Sequence, residues 1–171
     1  MSTFIQPTDF INKYTIANDQ FTSAMLAEFV NDEEIRTLYA LFGKTMADLF
    51  IADSGGGVPS DANYLLLYQA IQLTNNSCLE TYSSGMKEML KAFTYVSYNN
   101  RAAISTTTLG NKHPQTSVST EVSGFNHYYA NIYNLGVANF TVIQTFICEN
   151  SADYPDYDGS HINYMDGLLF K

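Results

Sequence analysis

Two stretches of this chain place apolar residues at alternating steps of three and four, a rhythm that fits packed α-helices and little else. In the first, Leu79, Tyr82, Met86, Met89, Phe93 and Val96 keep the steps without a break. In the second, Phe125, Tyr128, Ile132, Leu135, Asn139, Val142 and Phe146 do the same, interrupted only by the amide Asn139. Tyr129, Tyr133, Phe140, Ile143 and Ile147 add a parallel stripe, so this second helix is apolar over a broad arc and belongs at the centre. If it spans residues 121–149 it is roughly 43 Å long. The two helices are expected to run antiparallel, which puts Cys78 and Cys148 at the same end as unbridged neighbours.

Shorter helices are expected upstream. Pro7, Thr8 and Asp9 offer a cap before Phe10, Ile11 and Tyr14. A helix starting near Asn18 and Asp19 carries Phe21, Met25, Leu26 and Phe29. Asn31, Asp32, Glu33 and Glu34 then read as a fresh helix start, with the acids where the dipole favours them. Ile35, Leu38, Tyr39 and Phe42 follow on one face, with Gly43 as the stop. Met46, Leu49 and Phe50 mark another short piece. Gly55, Gly56 and Gly57 form an inter-helix loop; without a nearby lysine or a preceding strand they are no phosphate loop. Ser60 or Asp61 caps a helix through Leu65, Leu66 and Tyr68 as far as Leu73. The expected fold is therefore an all-α bundle of about five to six helices, two of them long and antiparallel. It occupies residues 1–150, followed by a tail at 151–171.

Charge and motif content narrow the function. Seventeen acids against eight bases leave a net charge of −9, a poor balance for gripping nucleic-acid phosphates. The opening residues lack a basic, apolar leader, and no apolar run reaches the ~20 residues of a membrane span, so a soluble, unexported protein is expected. Asp153, Asp156 and Asp158 before Gly159 are wrongly spaced for a calcium loop. His113, His127 and His161 show no metal-ligand spacing, and no G-x-S-x-G nucleophile elbow occurs. No catalytic residue, cofactor or metal is expected, and the chain is read as a non-enzyme. Thirteen Tyr and eleven Phe without a Trp suit contact between proteins, since aromatics give large contact areas at low entropic cost.

Two segments are left over from the bundle. Residues 99–120 are rich in Ser and Thr; Ile104 to Leu109 has strand character, Gly110 and Asn111 could turn, and Thr116 to Thr120 could return. Either a β-hairpin or an extended loop would then separate the two long helices. The tail ends in Met165, Leu168, Leu169 and Phe170 after a turn-rich linker. The excursion is expected to lie against another chain, and the tail either folds back on its own bundle or docks on a neighbour. The contact residues are Arg101, Ile104, Leu109, Lys112 and His113 from the excursion, and Tyr154, Tyr157, Leu168 and Phe170 from the tail.

The order of segments resembles a known family. Short N-terminal helices with Phe21-Thr22 and a Glu33-Glu34-Ile35-Arg36-Thr37-Leu38-Tyr39-Ala40-Leu41-Phe42-Gly43 stretch come first. A long helix, a Thr-rich loop, Tyr129-Ala130-Asn131-Ile132-Tyr133-Asn134, and finally Cys148-Glu149-Asn150-Ser151-Ala152-Asp153-Tyr154-Pro155 follow. This resembles the small head–tail connector (adaptor) proteins of tailed bacteriophages of Bacteroidetes-type hosts. The resemblance implies a virion neck protein, made in the host cytoplasm and assembled as a ring, a dodecamer by that likeness. It implies the portal and a downstream neck or tail protein as partners, with DNA passing through unbound and no membrane. The loop's positive charge is only Arg101, Lys112 and His113, so backbone and threonine hydrogen bonds are expected to carry its contacts. The alternatives are another neck, tail-completion or capsid-associated protein, or a small helical enzyme or ligand-binding domain.

Overall fold

The doubly striped helix organises the molecule. In the computed structural model, which describes residues 4–14, 20–74, 80–102, 105–107, 110–112 and 125–163, α5 (Phe125–Glu149) buries Ile132, Phe140, Ile143 and Ile147. Against it lies α4 (Met86–Ala102), whose Met86, Met89, Leu90, Phe93 and Val96 face the core. The pair is antiparallel. Ser83, just ahead of α4, meets Asn139, Phe93 stacks on Phe140 and Tyr133, and Tyr95 reaches Tyr129 and Tyr128. The rising numbers of one strand of contacts match falling numbers in the other.

On the other side of α4 lies α1 (Gln20–Phe42), and α2 (Lys44–Ser54) folds back on α1 with Met46, Ala47 and Phe50 buried. One continuous α1 replaces the two helices expected from residues 18 and 31. The acids at its middle are not caps, because their donors come from elsewhere. Glu33 accepts from Arg36 and, at 3.0 Å, from Ser97 on α4, while Glu34 accepts from the backbone of Ile5 at 2.6 Å. A short α3 (Ala62–Tyr68) does start as expected: the Asp61 carboxylate accepts from the Asn63 and Tyr64 N–H groups at 2.8 and 3.3 Å. It ends at Tyr68, earlier than Leu73, since Gln69 is already extended.

From there the chain forms a hairpin, β1 (Ile71–Thr74) with antiparallel β2 (Glu80–Ser83), packed on α5. Tyr82 is therefore a strand residue and 62% exposed, so the helical rhythm read through it begins only at Met86. Leu79 and Cys78 lie outside the described residues. A second hairpin, β3 (Ser105–Thr107) with β4 (Gly110–Lys112), sits between the two long helices. Gly110 and Asn111, read as its turn, are on its return strand, and Thr116 to Thr120 lie outside the described residues.

The segment after α5 comes back over the bundle. Asp158 N–H donates to Phe42 C=O at 3.0 Å and Ser160 N–H to Ala40 C=O at 2.7 Å. It crosses at the joint between α1 and α2, where two glycines make room. Gly43 has φ of +77°, and a Cβ there would sit 2.6 Å from the Asp158 carbonyl oxygen; one at Gly159 would sit 2.0 Å from that of Leu41.

Candidate functional site

Of the residues expected to meet other chains, Arg101 lies in the last turn of α4 and Lys112 ends β4, so the two flank the β3–β4 hairpin. Ile104, Leu109, His113, Leu168 and Phe170 lie outside the described residues. The two tail tyrosines turn inward. Tyr154 is 4% exposed, packs its ring on Phe146, and donates from its hydroxyl to Asn63 C=O at 3.0 Å. Burial, with Asp153 and Asp61 nearby, pushes that hydroxyl up to about 12. Tyr157 is half-buried against the same core. Through residue 163 the tail is thus part of the bundle.

The β3–β4 strands pair with each other and with no third strand among the described residues. Neither strand packs extensively on any other described element. The β1–β2 hairpin, by contrast, is anchored at one end by a buried amide. Asn139 Oδ1 accepts from Ser83 Oγ at 3.0 Å and from Ser84 N–H at 2.6 Å, while its Nδ2 donates to Leu135 C=O at 2.7 Å. Ser83 Oγ in turn receives the Gly85 N–H at 3.1 Å. The sequence signal for this joint was the single polar break in the seam of α5.

No family model, curated protein or solved structure matches this chain. The surface itself then has to speak. Exposed Ile11, Leu49, Val58, Leu66, Tyr82 and Tyr128 put large apolar groups on the N-terminal residues, α2, the loop after it, α3, β2 and α5. Among the described residues no three His, Cys, Asp or Glu side chains are grouped to hold a metal ion, and no helix is long and apolar enough to cross a membrane.

Two clefts open on this surface. One, of about 610 Å³, runs between α5 and the returning tail, lined by Thr141, Gln144, Cys148, Tyr157, Ser160 and His161. Gln144 spans it, donating to Ser160 C=O at 2.8 Å. The other, of about 440 Å³, lies where residues 8–14 meet the first turns of α4. Here Lys13 and Lys91 both pair with Glu88, and both ammonium groups lie over the Tyr14 ring, 4.9 and 5.3 Å from its centre. Tyr14 donates to Glu88 at 3.2 Å; burial, then the Glu88 charge, raises its hydroxyl well above the ordinary value. Lys87 meets Asp9 at 2.9 Å. Three of the chain's eight bases are gathered here, each already matched by a carboxylate. Their work is to fasten the N-terminal residues to α4. Sequence reading missed this clasp because residues 9–14 and 87–91 are far apart in the chain.

Proposed function

We propose that this chain is a structural protein of a tailed-phage virion, a subunit of the head–tail connector ring that bridges portal and tail. The observation that carries the reading is the β3–β4 hairpin. Strands of three residues that, among the described residues, pair only with each other are marginal in water, so such a hairpin gains most from a second chain. It interrupts the two helices that form the centre, at the place where the resemblance puts the reach toward the portal. The surplus of Tyr and Phe, several of them exposed, supports the same reading, because a closed ring needs complementary sides on each subunit. A net charge of −9 suits a channel past which DNA slides without sticking.

Mass measurement and electron microscopy of the purified full chain test this. A closed ring, or a subunit that adds to isolated portal, is the expected result; a lone monomer that ignores portal and turns over a small compound would overturn it. Removing residues 106–117 should keep the far-ultraviolet helical signal and abolish assembly, since no seam position of the bundle lies there.

A further inference from the structure

Residues 4–14 are held by the bundle as a separate arm, and the arm's two ends are fastened differently. At the far end Tyr14, buried against Tyr95, donates to Glu88 of α4, and Lys13 and Lys91 pair with that same carboxylate at the rim. Asp9 pairs with Lys87 midway; against the cost of burial, the Gln6 N–H and Lys87 hold its carboxyl below the ordinary range. The near end is different. There the extended backbone of Phe4 and Ile5 meets a single carboxyl group, Glu34 of α1, which is 3% exposed and accepts the Ile5 N–H at 2.6 Å. Ile5 is fully buried and Phe4 packs its ring on Phe50 and Tyr68, so this carboxyl sits under an apolar lid.

No cation meets Glu34 among the described residues. Glu33, its neighbour, turns to Arg36 and Ser97. Lys87 is taken by Asp9, whose charge works against a second anion, and Lys13 and Lys91 are taken by Glu88. We propose that the Phe4–Ile5 end of this segment is a strap that the neutral carboxyl of Glu34 latches and its ionisation loosens, while Tyr14 stays fastened to α4. Burial pushes this carboxyl up to about 7, outweighing the pull of the Phe4 and Ile5 N–H groups in the opposite direction. With the strap detached, Glu34 faces water and returns toward its ordinary 4.5. The sign follows by linkage: the attached form binds the proton more tightly, so raising pH through this window favours detachment. Detachment, made more frequent as the pH rises, would uncover Phe4 and Ile5 together with the rings of Phe50 and Tyr68 that Phe4 covers. The inference stands apart from the connector reading and holds whether or not the chain forms a ring.

Amide hydrogen exchange on the full chain, corrected for the intrinsic effect of pH, tests it. Protection of the Phe4 and Ile5 amides should fall by about 70-fold from about pH 5 to about pH 8, the ratio set by 4.5 and about 7, while α5 stays protected. Glu34→Gln keeps an acceptor and cannot ionise, so its protection should be flat across that range. Equal protection of the wild-type arm at both pH values, or the same slope in Glu34→Gln, would overturn the proposal. Should that variant lose its helical signal, the wild-type Ile5 amide resonance decides: a titration midpoint near 7 supports the latch and one near 4.5 refutes it.

Discussion

Asn139 occupies a seam position of α5 that an aliphatic residue would ordinarily fill, and its amide makes three hydrogen bonds there. Its two acceptor contacts fix where the end of β2 turns into α4. Its donor contact goes back to the helix's own backbone, so no polar atom of the amide is wasted in a site 2% exposed. Asn139→Ala would strand the Ser84 N–H and the Ser83 hydroxyl, and a buried group left without its partner costs about 1–3 kcal/mol. Asn139→Leu restores the volume but not the acceptor, so it should recover little of that loss. Urea unfolding would show both variants with lowered midpoints and an unchanged slope, the mark of a native-state defect. Asp61 is a milder case: its carboxylate serves two N–H groups at the start of α3 on an exposed surface. Asp61→Ala should cost about 1 kcal/mol, read as a drop in melting temperature with the fold intact.

At the scale of elements, what could be read from the sequence was whatever local spacing alone decides. The seam from Met86 to Val96 and the double stripe of α5 identified the central pair, because a broad apolar arc has to be covered on both sides. The Asp61 cap was legible for the same reason, being a contact within three residues. Elements decided by distant partners were not. Tyr82 continues the three-and-four rhythm by coincidence, and strand pairing with Gln72 outcompetes it there. Glu33 and Glu34 look like a helix start, yet Ser97, 64 residues on, and Ile5, 29 residues back, supply their donors. The clasp at Lys13, Tyr14 and Glu88 had no signal at all in local spacing. Tyr154, named from the sequence as a tail contact, spends its ring and hydroxyl on its own bundle, at Phe146 and the Asn63 carbonyl, partners that no local spacing reveals.

For the molecule as a whole, the carboxylates pull stability in opposite directions as pH changes, and their balance sets where the fold is firmest. Asp9 and Glu88 lie below the ordinary carboxylate range: burial opposes this, but Gln6 and Lys87 in the first case, and Lys91 and Lys13 in the second, prevail. Depressed groups stabilise the fold above their unfolded values of 3.8 and 4.5, and that contribution fades as the pH falls below them. Glu34 behaves oppositely. Its folded value is raised from 4.5 to about 7, so its contribution is complete below 4.5 and declines as pH rises to about 7. At about 1.4 kcal/mol per tenfold change in proton affinity, the full decline is about 3 kcal/mol. If the strap lets go before the bundle unfolds, the loss stops at the free energy of strap docking, so the measured decline should fall short of that limit. Stability against urea should therefore peak in the acidic range, near pH 4.5, and be lower on both sides. Glu34→Gln should remove the decline on the alkaline side and leave the acid limb in place, because that limb comes from other carboxyls, Asp9, Glu88 and the surface Asp48 among them. A wild-type protein whose stability instead climbs steadily from about pH 5 to about pH 8 would mean that Glu34 is charged beneath its lid at all times.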